Sequence, residues 1–321
     1  MIDDRAEILA LALRAEEDGD LATAITVLEG LVRASPDDAR SRTWLGRLYG
    51  DRQQFAAAIE MLETAIKLDA TRARPYAALA EVLLELGRFG EGERSIRQSI
   101  SIEPTTSSLV LLGYALGAQS KSLEAEDAFR RALAVDPQNE EAMFNLALEL
   151  RNRAPDEALA LFEAAIRLDP LYSDAHREYG FQLAITGDFA RAEGALRTSL
   201  EIKEADALSH VYLANTLAST RRFSEAESEL TRASILSPLS ALSQWGLGKL
   251  YEATGRPMEA EHHLRLATQV EPADAEAAFQ LGRFLVSVGR PEEARKWLDQ
   301  TLRLHPTHEQ AVELLRSLEN R

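Results

Sequence analysis

Residues 44–65, WLGRLYGDRQQFAAAIEMLETA, carry the pattern that decides the fold of this chain. Apolar residues such as Leu45 and Leu48 recur three and four positions apart, which places them on one face of a helix. After a short turn the helical spacing resumes, with small residues at Ala58 and Ala65. Small side chains at such points let two helix backbones approach closely. The stretch therefore predicts two helices joined by a turn.

The same pattern returns along the chain at a spacing of 34 residues, occasionally 33. An apolar residue followed by a small one marks each copy: Leu11-Ala12, Leu45-Gly46, Leu79-Ala80, Leu112-Gly113, Leu146-Ala147, Tyr179-Gly180, Leu213-Ala214, Leu247-Gly248 and Leu281-Gly282. A single helix pair cannot bury its own apolar face, so a repeat of this length predicts a stack of pairs. The units begin near residues 5, 39, 73, 106, 140, 173, 207, 241 and 275, and an amphipathic helix at 309–321 is predicted to cap the last one.

Prolines and glycines fall at the boundaries that this stack requires. Pro155, Pro257 and Pro291 lie at the predicted starts of second helices, a position that tolerates proline. Pro75 lies at the predicted start of a first helix, and the seven remaining prolines end second helices, since proline cannot continue a preceding helix. Glycines occupy the predicted turn inside several units, where a positive φ is often needed, at Gly19, Gly87, Gly187, Gly255 and Gly289.

With these features the chain resembles the tetratricopeptide repeat family. The copy at residues 44–65 carries the Trp-Leu-Gly, Tyr and Ala-Leu-Ala elements of that family's pattern, and the proline-terminated copies supply the remaining element. Ala70 and Glu204 depart from the pattern, because they stand where the terminal proline is usual. The resemblance implies an all-α fold, a right-handed α-solenoid of about nine helix-turn-helix repeats over residues 5–308.

Composition excludes several classes of function. The 36 basic and 52 acidic residues give a net charge of −16, which disfavours a nucleic-acid partner because the phosphates would be repelled on average. Cysteine is absent, so disulfides, thiolate metal sites and thiol nucleophiles are excluded. No apolar run approaches the ~18 to 20 residues of a membrane span. The expectation is a cytoplasmic protein that does not insert into membranes.

The sequence contains no recognisable catalytic or metal-binding constellation. A Gly-rich phosphate loop, a His-Glu-x-x-His run and a Gly-x-Ser-x-Gly turn are all missing. His262 and His263 are adjacent on a helix and point about 100° apart, which is unsuitable for joint ligation. His305 and His308 flank Pro306 in a predicted turn between units, with no cluster of carboxylates to complete a site. We therefore expect no enzyme activity, no cofactor and no metal.

The resemblance implies that the first helix of each unit lines a concave groove that binds a peptide or a helix of another protein. From the fourth unit onward the predicted inner stripe is rich in aromatic, basic and amide side chains, which are common among residues that dominate binding energy. The predicted partner-binding residues are Tyr114, Phe144, Asn145, Leu148, Arg177, Phe181, Tyr212, Asn215, Trp245, Lys249, Phe279 and Arg283. The alternative is that several of these aromatics pack against the neighbouring first helix as ordinary core.

The favoured function is a non-catalytic scaffold or adaptor that binds a peptide or helical segment of another protein. One alternative is a docking or regulatory array of an enzyme, fused beyond the C-terminus or bound as a separate protein. Another is a self-associating assembly factor, in which the groove or an end unit meets a second copy of the chain.

Overall fold

The computed structural model describes residues 2–319, and in this range every regular element is an α-helix. The predicted all-α fold class is confirmed. Residues 320 and 321, the end of the predicted capping segment, lie outside the described residues. Packing divides the chain into two compact units, Met1–Leu168 and Asp169–Arg321, which we call the N-terminal and C-terminal units.

The N-terminal unit consists of ten helices that pair in chain order, α1 with α2 and so on to α9 with α10. The odd-numbered helix of each pair is its first helix, and the even-numbered helix is its second. Their bounds are α1 Ile2–Glu17, α2 Leu21–Ala34, α3 Ala39–Asp51, α4 Phe55–Leu68, α5 Ala73–Glu85, α6 Phe89–Ile102, α7 Thr106–Gly117, α8 Ser122–Val135, α9 Glu140–Leu150 and α10 Pro155–Leu168.

The C-terminal unit continues the same pairing and ends with a single further helix. Its helices are α11 Ser173–Thr186, α12 Phe189–Ile202, α13 Ala207–Ser219, α14 Phe223–Leu236, α15 Ala241–Ala253, α16 Pro257–Val270, α17 Ala275–Ser287, α18 Pro291–Leu304 and α19 Glu309–Glu319. The last helix packs on α18 through Ala311, which is fully buried beside Leu298.

The small residues of the repeat explain how close the two helices of a pair lie. A Cβ atom added at Gly46 of α3 would stand 2.7 Å from Leu62 Cγ of α4, so only glycine fits there without movement. On α4, the predicted anchors Ala58, Leu62 and Ala65 are all fully buried. The short side chains bring the backbones together, and the leucine fills the space that remains between them.

Carboxylates on second helices connect consecutive pairs inside each unit. Glu261 of α16 accepts hydrogen bonds from Arg265, one turn along the same helix, and from Arg290 at the entry of α18, at 2.9 and 2.7 Å. Glu193 of α12 is held in the same way by Arg197 and Arg222, at 2.8 and 2.6 Å. Burial opposes ionisation of Glu193, but these two guanidinium groups outweigh it and lower its pKa.

The described residues, 2–319, include neither a helix suited to span a membrane nor a cluster of metal-ligand side chains. No helix in this range combines the length and the apolar character that crossing a membrane requires. In the same range, no three or more histidine, aspartate or glutamate side chains are grouped so that they could hold a metal ion.

Candidate interaction surface

A groove in the N-terminal unit runs across the first helices α1, α3 and α5. We call it the N-terminal groove, and its volume is about 1380 Å³. Apolar side chains in it come from each of the three helices, with Leu9 and Leu13 on α1, Trp44 on α3 and Ala77 on α5. Leu13 is half exposed.

Small side chains keep this groove open. The residue two positions before the Leu-Gly or Leu-Ala pair of each repeat is Thr43 in α3 and Ala77 in α5, whereas α9 carries Phe144 there. Thr43 and Ala77 both line the groove. Because neither side chain reaches across to the next first helix, the space between α1 and α5 stays accessible.

A partly exposed ion pair forms one wall of the groove. Arg47 of α3 makes a salt bridge to Glu16 of α1, and its second terminal nitrogen lies 3.3 Å from Asp51. The indole N–H of Trp44 donates a hydrogen bond of 2.6 Å to the other oxygen of Glu16. Glu16 therefore positions both the ring and the guanidinium, and little of its charge is left for a ligand.

Two guanidinium groups of the groove remain available. Arg40 and Arg74 are exposed groove residues, and neither has an ion-pair partner among the residues that the structure describes. The groove carboxylates Asp38 and Asp69 are occupied, since Asp38 caps α3 by accepting from the Arg40 backbone N–H at 3.2 Å and Asp69 accepts from Thr71 Oγ1 at 2.6 Å. The groove lining as a whole contains four arginines and five acidic residues, so Arg40 and Arg74 are isolated cationic points within it.

Glu81 is a groove carboxylate whose pKa is raised. It lies on α5, and the surrounding atoms raise its pKa by withdrawing it from water, although Arg47 opposes the shift. Asp51 and Glu85 add to the increase. Glu81 stays accessible, so the groove offers one weakly acidic carboxyl beside the arginines.

The sequence-predicted residues of the N-terminal unit differ in their exposure. Tyr114 is 52% exposed on α7. Phe144, Asn145 and Leu148 on α9 are each partly buried. The Phe144 ring lies 5.9 Å from the ring of Phe162 in the same helix pair, and the amide nitrogen of Asn145 donates to the Glu141 carbonyl at 2.8 Å.

Arg177 of α11 is held inside the C-terminal unit by carboxylates. Its guanidinium lies 2.6 Å from Asp174, 3.1 Å from Asp206 and 3.1 Å from Glu178. Burial opposes its charge, but the hydrogen bond that it donates to Asp206 and the charges of the three anions outweigh that cost and raise its pKa. The side chain is 15% exposed, so its charge is largely satisfied within the fold.

Phe181 of α11 and Tyr212 of α13 stack on each other. Their ring centroids are 4.3 Å apart with an interplanar angle of 22°. Each ring therefore packs against the neighbouring first helix. This is the alternative role that the sequence allowed for these aromatic residues. Asn215, one turn beyond Tyr212, is exposed.

Trp245, Lys249 and Arg283 form a connected group on α15 and α17. The Lys249 ammonium lies 5.2 Å from the Trp245 ring centroid, and Arg283 makes a 2.6 Å salt bridge to Glu252. The pKa of Lys249 is lowered, first by partial burial and then by the nearby charge of Arg283. The Trp245 ring itself packs on alanines of the adjoining helices.

Phe279 of α17 lies in the core, and its predicted exposure is wrong. It is 3% exposed, and its ring lies 4.5 Å from that of His308 at the entry of α19. The helix α19 covers the position that would otherwise face the groove, together with Leu298 and Ala311. The apolar residue of the inner stripe at this point is therefore buried in the interface between α17, α18 and α19.

Comparison with known protein families agrees with this architecture. Models described as tetratricopeptide repeat match residues 110–153, 148–208 and 212–265, and a further model with the same description matches 251–318. The chain belongs to the tetratricopeptide repeat family. Residues 17–99 match a model of the anaphase-promoting complex (cyclosome) subunit 3.

Individual proteins resemble this tetratricopeptide repeat chain at low identity. The Caenorhabditis elegans tetratricopeptide repeat-containing protein trd-1 is 24% identical over 203 residues, which are 62% of this chain and 26% of that protein. The chain thus matches about a quarter of the length of that curated relative. Among solved structures, a tetratricopeptide repeat protein from Parabacteroides merdae is 17% identical with a TM-score of 0.68, covering 77% of this chain and 98% of that chain. A chain of the APC/C hetero-tetramer Cut9–Hcn1 is 12% identical with a TM-score of 0.57, covering 97% and 96%.

The tetratricopeptide repeat pattern alone did not reveal the N-terminal groove. Large side chains on the first helices suggested a surface in the later repeats, yet Arg177, Phe181, Tyr212 and Phe279 make contacts within the fold. The sequence signal that marks this groove is a pair of small residues, Thr43 and Ala77, two positions before the Leu-Gly or Leu-Ala pair and close to exposed arginines. Small residues there leave a space that large side chains would fill.

Proposed function

We propose that this chain is a protein-interaction scaffold whose N-terminal groove binds a peptide or helical segment of another protein. One observation carries the proposal: a groove of about 1380 Å³ with apolar side chains from three successive first helices. Exposed apolar surface inside a groove is a common mark of a binding site for another protein. The repeat scaffold supplies the rigid frame that such recognition needs.

The exposed guanidinium groups of Arg40 and Arg74 favour a partner segment that carries a carboxylate beside an apolar side chain. An apolar side chain of the partner would pack against Leu9, Leu13 and Trp44, and an adjacent carboxylate would lie opposite Arg40 and Arg74. Arginine binds carboxylates in a bidentate geometry, which gives direction as well as affinity. The proposed ligand is therefore a short segment in which aliphatic or aromatic residues stand beside aspartate or glutamate.

Selection from a displayed library of random peptides tests this function. We expect the selected peptides to combine acidic and apolar residues and to compete with one another for one site. Leu13→Asp should lower the affinity for these peptides at least tenfold, because it places an anion on the apolar wall of the groove. The double substitution Arg40→Glu and Arg74→Glu should also lower the peptide affinity, and it should remove most of the salt dependence of binding.

A matched control separates local recognition from net charge. Arg94→Glu and Arg232→Glu make the same change of charge at exposed positions outside the groove, and should leave affinity nearly unchanged. Equal binding by the Leu13→Asp protein and the unaltered protein, with both correctly folded, would exclude the N-terminal groove as the site.

The later first helices form a second proposed contact set for the same function. Tyr114, Asn215 and Lys249 are exposed, and Trp245 and Arg283 are partly exposed beside Lys249. Phe144→Ala and Trp245→Ala should each cost a natural partner roughly 2 kcal/mol of binding free energy if these residues anchor it. Unchanged affinity with an intact fold would restrict recognition to the N-terminal groove.

This proposal describes a non-catalytic adaptor that acts in the cytoplasm. Self-association through the groove is the competing function from another class, because a second copy could supply the apolar segment. Analytical ultracentrifugation over a range of protein concentrations distinguishes them: an adaptor sediments as a monomer throughout, whereas self-association grows with concentration by mass action.

A further inference from the structure

A separate crevice lies in the C-terminal unit, between the starts of α13 and α15 and the end of α14. Its volume is about 290 Å³. The most buried residues that line it form its floor, Val211 at 3%, Ala233 at 0% and Ser243 at 2% exposure. Partly exposed Leu208 and Leu242 stand at its rim. The crevice is open on one side, and its lining combines these apolar side chains with Ser237, Ser240 and Ser243 and the charged residues Lys203 and Asp206.

The equivalent space one repeat later is filled by an aromatic ring. Trp245 stands 34 residues after Val211, and its indole packs on Ala241, Ala267 and Ala277. These three alanines correspond, at the same spacing, to Ala207, Ala233 and Ser243 of the crevice. The backbone frame of this repeat therefore accommodates a ring at this position.

The equivalent space one repeat earlier is filled by polar groups. Arg177 takes the place of Val211 and reaches Asp206 at 3.1 Å. Three serines take the other places: Ser199 Oγ lies 3.2 Å from Ser173 Oγ and 2.9 Å from Ser209 Oγ, so each hydroxyl has a partner.

The crevice itself, which lies between these two repeats, contains neither the aromatic ring of the later repeat nor the hydrogen-bonded polar groups of the earlier one in this space. Val211 is too short to cross the space, and two of the lining residues, Ala207 and Ala233, have no polar group. Ser243 corresponds to the hydrogen-bonded Ser209, but its Oγ is buried without a hydrogen-bond partner among the described residues. A buried hydroxyl without a partner costs about 1 to 3 kcal/mol, so an occupant able to bond it is favoured.

We propose that this crevice receives a tyrosine side chain from a partner protein. The ring would lie between Val211, Leu208 and Leu242, in the space that the Trp245 ring takes one repeat later. The phenol oxygen would exchange a hydrogen bond with Ser243 Oγ at the floor. Burying one ring with a polar tip in a preformed pocket is typical of residues that dominate protein–protein binding.

The inference extends the proposed scaffold function, but it uses residues of the C-terminal unit only. Its test therefore needs no natural partner and does not involve the N-terminal groove. The probe is p-cresol, which is the tyrosine side chain as a free molecule, and the comparison compound is toluene, which lacks the hydroxyl.

Chemical-shift titration of the labelled full-length protein measures both compounds at the methyl groups of Leu208, Val211 and Leu242. We expect p-cresol to shift these signals saturably and to bind about fivefold more tightly than toluene, the effect of one neutral hydrogen bond. Ser243→Ala should abolish that preference while preserving the fold. It should also leave stability equal or higher, because it removes a hydroxyl that lacks a partner.

A second variant tests occupancy directly. Val211→Trp copies the residue found one repeat later and should fill the crevice, so that the shifts of Leu208 and Leu242 no longer respond to p-cresol. Equal affinity for toluene and p-cresol in the unaltered protein would overturn the tyrosine assignment in favour of an aliphatic or purely apolar occupant. Absence of saturable shifts with either compound, or unchanged p-cresol binding in the Ser243→Ala protein, would also overturn it. If Val211→Trp fails to fold, the Ser243→Ala comparison decides the question.

Discussion

Two tyrosines show how single residues attach one helix pair to the previous one. The Tyr49 hydroxyl of α3 donates a 2.8 Å hydrogen bond to Glu29 of α2, and the Tyr251 hydroxyl of α15 donates one of the same length to Glu227 of α14. Burial, followed by the adjacent carboxylate, raises the pKa of each phenol from 10 to about 12. A negatively charged phenolate would face a second anion in each site.

These raised pKa values predict a loss of stability at alkaline pH. Between pH 10 and about 12 the folded chain keeps two phenol protons that the unfolded chain has released. The free energy of unfolding should therefore decrease as pH rises through this window, and the contribution is fully present below pH 10. Urea unfolding at several pH values measures the slope. The double variant Tyr49→Phe and Tyr251→Phe should be less stable near neutral pH and have a shallower slope, and an identical slope would contradict the assignment.

At the scale of the element, eight of the nine turns inside the described helix pairs contain a residue in the left-handed conformation, and the turn between α9 and α10 does not. Glycine supplies it in five turns, with φ between +71° at Gly87 and +90° at Gly187. In three turns the same conformation is taken by other residues, Gln53, Ser120 and Arg221, with φ near +60°. A side chain in this conformation costs energy, because its Cβ approaches the following carbonyl oxygen.

Replacing one of these residues by glycine should therefore stabilise the fold. Arg221→Gly is expected to raise the free energy of unfolding by about 0.5 to 1 kcal/mol, since the relief of strain exceeds the added chain entropy of glycine. The reciprocal change Gly255→Arg, in the next turn of the same unit, should lower it by a similar amount. Urea denaturation with an unchanged m-value checks both. A loss of stability in Arg221→Gly would show that another contact of the arginine matters more.

At the scale of the molecule, the helix pairs within each unit pack on the pairs next to them in the sequence. Stability is then close to a sum of pair and interface contributions, and a local defect should spread only a short distance. The N-terminal unit offers a clear place to test this, because Phe162 of α10 is fully buried against Phe144 of α9.

Removing the Phe162 ring should open part of the unit before the rest. Phe162→Ala is expected to cost about 3 to 5 kcal/mol through the cavity it leaves. Hydrogen exchange should accelerate most in α9 and α10, less in α7 and α8, and least in α1 to α4. A uniform increase across the N-terminal unit would mean that it unfolds as one cooperative block.

The sequence by itself determined the helix pairs and their family. The spacing of Leu45, Leu48, Ala58 and Ala65 is a local property of the chain, as are the prolines at 155, 257 and 291 that begin second helices. Such signals are readable because helix periodicity and backbone sterics act between residues a few positions apart.

Only the tertiary structure decided which side chains remain available to a partner. Whether Phe279 is exposed depends on α19, and whether Arg177 is free depends on Asp206. Whether Ser243 has a partner depends on residue 233, an alanine in the place of the serine that bonds Ser209 one repeat earlier. The N-terminal groove exists because Thr43 and Ala77, 34 residues apart, are both small. The space and the charge between helices depend on several residues that are distant in the sequence. The repeat pattern therefore determines where a groove can form, and the side chains around it determine whether it stays open.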